Sequence, residues 1–191
     1  MHCIDLPATS RVRRRDDTTP TSVVDTVVVV NERPEPAPRL ATPDDAAEVA
    51  RLLHDFNTEY DWPSPGVDVL AQRLSGLLSR TDSFAVLAGS PAVGVALVTL
   101  RPNVWYEGPV AVLDELYVEP DLRSRGIGAS VIEYFLDVAR ARGVDLIEIN
   151  VDEPDVDAQR FYRRHGFSDT DGPDDDRAFY FYRELEDPVA P

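Results

Sequence analysis

One short segment, Arg123-Ser-Arg-Gly126-Ile-Gly128-Ala129, constrains the fold of this chain more than any other. It follows an apolar run over residues 110–118 and a Glu119-Pro120 break. It opens a stretch that carries Ile127, Val131, Phe135 and Val138 at helical spacing and stops near Gly143. The local order is therefore strand, glycine-rich turn, helix. Glycines at such a turn let the backbone approach a ligand, and the free N–H groups and dipole of the helix start favour an anion. Arg123 and Arg125 add positive charge for phosphate. Two related loops are excluded. A Walker loop needs a lysine, and all 19 cationic side chains are arginine. A Rossmann loop needs a third glycine and an acidic residue about 20 positions on, and the strands preceding this turn read as antiparallel.

Around this unit the chain divides into an extension over 1–38, a domain over 39–187 and a tail over 188–191. The extension begins with Arg11, Arg13, Arg14 and Arg15 and closes in a Pro-rich linker ending at Pro38, so it is expected to be poorly ordered. Its Val23, Val24 and Val27-Val-Val-Val30 form a β-branched run able to pair with a sheet edge. From Arg39 the pattern is regular. A short strand over 39–41 precedes Thr42, Pro43, Asp44 and Asp45, which suit a cap, the first helical position and the positive helix end. Ala46, Val49, Ala50, Leu53 and Phe56 then mark one helix, and Val67, Leu70, Leu74 and either Leu77 or Leu78 mark a second beyond the Trp62-Pro-Ser-Pro-Gly66 break. Apolar strands over 84–88 and 93–100 flank a turn at Gly89-Ser-Pro-Ala92. After the loop 101–109 come the strand 110–118, the helix at Ile127, a strand over 146–151 and a short helix over 157–164. Two closing strands, one starting at Phe167 and one over 178–183, flank an acidic loop over 171–176. The predicted order is β α α β β β α β α β β, an α/β (α+β) domain.

Charge narrows the function. Against those 19 arginines stand 35 Asp and Glu, a net charge of −16, which argues against nucleic acid and favours a cationic or amine ligand. The single cysteine, Cys3, and the scattered His2, His54 and His165 offer no disulfide framework and no metal-ligand spacing, so no metal is expected. Residues 1–15 hold no continuous apolar run of the kind a secretory signal needs. The longest apolar stretch, 92–100, is far shorter than a membrane span. A cytoplasmic location without a membrane partner is the expectation.

Leu116-Tyr-Val-Glu-Pro120 followed by Arg123-x-x-Gly126-x-Gly128-Ala129 resembles the cofactor loop of the GNAT superfamily of N-acetyltransferases, in which Arg or Gln precedes Gly-x-Gly or Gly-x-Ala. A second block, Ala158-Gln-Arg-Phe-Tyr162-Arg-Arg-His-Gly166-Phe167, is similar to that family's helix-to-strand segment. The resemblance covers roughly 39–185. It implies a mixed, mostly antiparallel sheet with a splayed parallel strand pair and helices on both faces. It implies acetyl-CoA as co-substrate, with the backbone of Leu116, Tyr117 and Val118 along the pantetheine arm. Arg123, Ser124, Arg125, Gly126, Ile127, Gly128 and Ala129 would then lie at the pyrophosphate. One position departs from the pattern: where many members carry an asparagine that contacts the cofactor, this chain has Asp155, which cannot donate a hydrogen bond. Asn150, at the end of the preceding strand, is a substitute.

The implied reaction is direct attack of a neutral amine on the thioester. It needs a base for the amine, a donor for the oxyanion and an acid for the departing thiolate. Tyr162, four residues after Ala158, matches the family's acid. Asp114 and Glu115, carboxylates inside an otherwise apolar strand, are the candidate bases; with alternate residues on opposite faces, only one of them is expected to face the acceptor. A structural cap or an ion pair with Arg101 or Arg123 is the competing role. The acceptor wall is expected to include Phe56, Tyr60, Trp62 and Trp105, with Glu59 nearby, a lining that suits a small cationic amine. A protein N-terminus or lysine is an alternative acceptor, and a noncatalytic acyl-CoA-binding module is a third reading. Dimerisation is common in the family, so a homodimer stays open.

Overall fold

The computed structural model describes residues 36–170, 176, 177 and 181. Its elements run β1 (Pro38–Leu40), α1 (Ala46–Glu59), α2 (Val67–Leu78), β2 (Ser83–Gly89), β3 (Ala92–Arg101), β4 (Val110–Val118), α3 (Ile127–Ala141), β5 (Leu146–Ile149) and α4 (Val156–Arg164), with 3-10 turns at Pro43–Asp45 and Pro120–Leu122. The strands form one sheet in the order β1-β2-β3-β4-β5. Every neighbouring pair is antiparallel except β4 with β5, which is parallel.

Each face of the sheet carries its own helical layer. Val86, Val98, Ala111 and Leu113 pack under α3, whose Val131, Ile132 and Phe135 are fully buried. The opposite face, with Ala85, Leu87 and Val95, packs under Val49, Leu52 and Leu53 of α1 and Leu74 and Leu78 of α2. The choice between Leu77 and Leu78 falls to Leu78, while Leu77 turns outward at 39% exposure. Leu52, not singled out by its spacing, is completely buried because α1 packs against both α2 and the sheet. Burial of such aliphatic side chains, about 1.5–3 kcal/mol each, is the main force holding the layers together.

Local signals account for the helix starts. Thr42 and Asp45 form a capping box, and Arg39 grips the Asp45 carboxylate at 2.7 and 2.8 Å, which pushes that carboxyl well below its usual range. Side chains of α1 also tie it to the sheet. The Arg51 guanidinium donates to the Ala92 carbonyl at 2.6 Å and to Glu119 at 3.0 Å, and Glu48 accepts from the Ala92 N–H. At the far end, the loop before β4 presses against the turn after α3. A Cβ at Gly108 would lie 1.8 Å from the Gly143 carbonyl oxygen, so only glycine fits.

The first of the two predicted closing strands does not form over residues 167–170. Over Phe167–Thr170 the chain makes a bend, because the Ser168 hydroxyl donates to the Thr170 carbonyl and accepts from the Thr170 N–H in place of a ladder. The strand over 178–183, the acidic loop and the extension and tail lie outside the described residues, apart from residues 36–38, Asp176, Arg177 and Phe181. Among the described residues, no helix is long and apolar enough to cross a membrane.

Candidate active site

The site is built around a fault in β4. Leu97 lies opposite Glu115 and Val98 opposite Leu113, so Asp114 is an extra residue, a β-bulge. The bulge resets the alternation of the strand. Ala111 and Leu113 before it and Leu116 and Val118 after it all pack in the α3 layer, while Tyr117 packs in the α1–α2 layer. The expectation that alternation sends Asp114 and Glu115 to opposite faces of the sheet, so that only one could face an acceptor, fails at the bulge. Glu115 lies across from Leu97 on the α1–α2 face, and Asp114 accepts a hydrogen bond from the hydroxyl of Thr99, two residues along β3 on that same face.

The bulge also marks where the sheet opens. β5 pairs with β4 only from Val110 to Leu113, and beyond that point the β4 edge has no strand beside it among the described residues. The Glu119 N–H donates to the Val93 carbonyl at 3.0 Å, so backbone groups of Tyr117 and Glu119 point to β3 and those of Leu116 and Val118 to the open edge. Tyr117, expected to offer its backbone to the pantetheine arm, therefore turns it away. The Val118 carbonyl is already taken by Arg123 Nε at 2.9 Å. Among the described residues the Leu116 N–H and C=O and the Val118 N–H have no strand partner, and an amide-containing chain can satisfy such a run.

At the end of β4 the chain turns through two left-handed residues, Ser124 (φ 61°) and Gly126 (φ 85°), into α3. No side chain caps this helix, which leaves the first-turn N–H groups of Ile127, Gly128 and Ala129 for a ligand. Gly128 sits beside the Phe161 ring of α4, where a Cβ would already be in contact at 3.5 Å. Arg125 is exposed, donates to the Asp121 carbonyl at 2.9 Å and joins no ion pair among the described residues. Arg123, expected to face phosphate, points elsewhere. It forms a bidentate pair with Glu59 of α1, both contacts 2.6 Å, and its guanidinium lies 5.5 Å from the centre of the Tyr117 ring.

With Arg123 on Glu59 and Arg101 on Glu148, neither carboxylate of the bulge has an arginine partner among the described residues. Burial raises the Glu115 carboxyl to about 7, helped by the neighbouring Asp114 charge. Asp114 is also raised by its surroundings, against the opposing hydrogen bond from Thr99. Tyr162 of α4 stands on the other face of the sheet, packed against the α3 layer, Phe161 and Phe167. Burial raises its phenol first, then the charges of Asp155 and Glu115, so it stays protonated. Among the described residues nothing hydrogen-bonds its hydroxyl. Asp155 itself is the N-cap of α4, its Oδ1 accepting from the Ala158 N–H at 2.9 Å. Asn150 follows β5 with an exposed side chain.

On the α1–α2 face Phe56, Tyr60 and Trp62 form one aromatic wall. Phe56 touches Tyr60, Trp62 and Tyr117 with ring centres 5.3, 5.8 and 5.7 Å apart. The chain folds back to make it: the Trp62 N–H donates to the Asn57 carbonyl at 2.8 Å, and Asn57 Nδ2 donates to Pro63 O at 3.0 Å. Trp105 does not join. It is 87% exposed on the loop before β4, and the seven steps from Val110 to Tyr117 span roughly 23 Å of strand. Thr99 escaped the sequence reading, as did the Glu59–Arg123 pair, because each contact joins residues on separate elements.

Residues 47–167 match the model of the acetyltransferase (GNAT) family. The chain belongs to the GNAT family. An aminoglycoside N(6')-acetyltransferase type 1 from Stenotrophomonas maltophilia is 30% identical over 79% of this chain and 95% of its own length. A crystal structure from Arthrobacter sp. FB24, assigned as an acetyltransferase, is 47% identical, with a TM-score of 0.73 over 89% of this chain and all of that one. A mycothiol acetyltransferase from Beutenbergia cavernae is 36% identical over 36% of this chain, which spans only 24% of that protein's length. The protein is thus an acyltransferase, an N-acetyltransferase of GNAT type. Its described sheet, parallel only between β4 and β5 and flanked by helices on both faces, is the GNAT arrangement. Among the described residues no group of three or more His, Cys, Asp and Glu side chains is arranged to hold a metal ion.

Proposed function

We propose that the protein transfers the acetyl group of acetyl-CoA to the primary amine of a small cationic molecule, with both substrates bound together. The observation that carries this reading is the bulge. It puts the paired carboxylates of Asp114 and Glu115 on the face of the aromatic wall, while Tyr162 stands on the other face of the same opening. Bound acetyl-CoA supplies the thioester carbonyl. Leu116 and Val118 offer the backbone groups for its pantetheine amides, and Arg125 with the N–H groups of Ile127 to Ala129 offers the anion site. The Phe56, Tyr60 and Trp62 wall, beside acidic side chains, favours an ammonium group. Glu115, with a carboxyl near 7, accepts the amine proton before attack, and the buried phenol of Tyr162 donates to the departing sulfur. Asp114, held by the Thr99 hydroxyl, lies beside the base, and its charge helps raise the Glu115 carboxyl.

Release of free thiol from acetyl-CoA tests this against a panel of small amines, including aminoglycosides and aminoalkylphosphonates, and peptides with free N-termini or lysines. Turnover with a small amine, lost in Tyr162→Phe, is the expected result. Turnover confined to peptides would replace the acceptor assignment, and coenzyme A binding without release on any acceptor would replace catalysis with a binding role.

A further inference from the structure

We infer that Arg123 serves the acceptor wall as a positioning residue, with Glu59 as its partner, and is not a phosphate ligand. This rests on reading the loop at Gly126 as the anion site. Four contacts converge on one guanidinium: two bonds to the Glu59 carboxylate, one from Nε to the Val118 carbonyl, and the face of the Tyr117 ring. Together they occupy the side chain. An arginine whose fork is closed on a carboxylate has no second fork to offer a diphosphate, and Arg125 together with the uncapped first turn of α3 already supplies that site.

The partners of Arg123 show what it positions. Glu59 is the last residue of α1, and the next turn carries Tyr60 and Trp62. Tyr117, beneath the guanidinium, packs on Phe56. Val118 is the last residue of β4, at the open edge. One side chain that starts in the loop therefore pins the C-terminal end of α1, and with it the aromatic wall, against the end of β4. Arg51 on Glu119 makes a second tie between the same two elements, which keeps the fold intact when the first is cut.

The test uses the Trp105→Phe protein, so that Trp62 is its single tryptophan, carrying in turn Arg123→Gln, Glu59→Gln and both. Acrylamide quenching of Trp62 reports the wall, and calorimetry with coenzyme A reports the loop. Each single variant is expected to raise the quenching constant about twofold, the double no further than either single. The dissociation constant for coenzyme A is expected to stay within about threefold of the parent in all three. Melting temperatures confirm that each variant is folded. Weakening of coenzyme A binding by tenfold or more in Arg123→Gln but not in Glu59→Gln would make Arg123 a phosphate ligand and overturn the inference. Quenching unchanged by Glu59→Gln would overturn it as well. Failure of the parent to bind coenzyme A would overturn the reading of the loop itself.

Discussion

The two sides of the β4–β5 opening are made of different material. On the loop side the groups proposed to hold the cofactor are main chain: the open edge at Leu116 and Val118 and the uncapped N–H groups that follow Gly126. On the acceptor side they are side chains drawn from separate elements: Phe56, Tyr60 and Trp62 around the end of α1, Asp114 and Glu115 from β4, Thr99 from β3. A main-chain site tolerates many side chains and depends on backbone geometry. A side-chain site can be rebuilt one residue at a time, which suits a family in which the acyl donor is shared and the acceptor varies.

The contrast is tested hardest where the two sides meet. Tyr162→Phe is expected to lower kcat about 100-fold or more with little change in either KM, since it removes a proton donor and no packing. A Tyr162→Phe enzyme of full activity would move the acid role elsewhere. Glu115→Gln is expected to cost about 10- to 100-fold in kcat/KM and to abolish the acid limb of the pH profile. The sign follows from the raised carboxyl: below about pH 7 Glu115 is protonated and cannot accept, so the parent loses activity as the pH falls through that value. The same shift makes Glu115 a stability liability. The folded state binds the proton more tightly than the unfolded one, so stability falls as the pH rises from the ordinary carboxyl range to about 7. Glu115→Gln should therefore raise Tm at pH 8 by a few degrees in a thermal melt, while activity drops.

The next effects separate the sides. Gly126→Ala forces a side chain into a left-handed position and is expected to weaken coenzyme A binding about tenfold by calorimetry, with the acceptor KM unchanged. Trp62→Ala should do the reverse, raising the acceptor KM about three- to tenfold and leaving that of acetyl-CoA alone. If each variant moved both constants, the division into two sides would fail. The smallest effect is expected from Asp114→Asn. With the neighbouring charge gone, Glu115 titrates lower and the acid limb shifts to lower pH, by less than burial alone holds it up.

How much of this the sequence disclosed follows the same division. Gly126, Gly128 and the apolar strand before them were readable because a tight turn into a helix makes its demands within a few consecutive residues. Tyr162 was readable only through the family pattern around it. The bulge was not, since Asp114 becomes an extra residue only when β4 is laid against β3, and nothing in the order Leu113-Asp-Glu-Leu116 announces a slip. Two tryptophans looked equally suited to an amine, yet β4 separates them by nearly its whole length. Arg123 looked like a phosphate ligand for want of a visible partner, and that partner lies 64 positions back in the chain.

The open half of β4 has one more consequence. A bare strand edge on the outside of a sheet invites another protein's strand to add to it, and natural proteins guard against that. Among the described residues the edge that β5 leaves free starts at the bulge and ends at Val118, where Arg123 Nε already takes the last carbonyl. The stretch left for a foreign strand is only a few residues long and begins at an irregularity, and short, bulged edges are two of the ways such pairing is blunted.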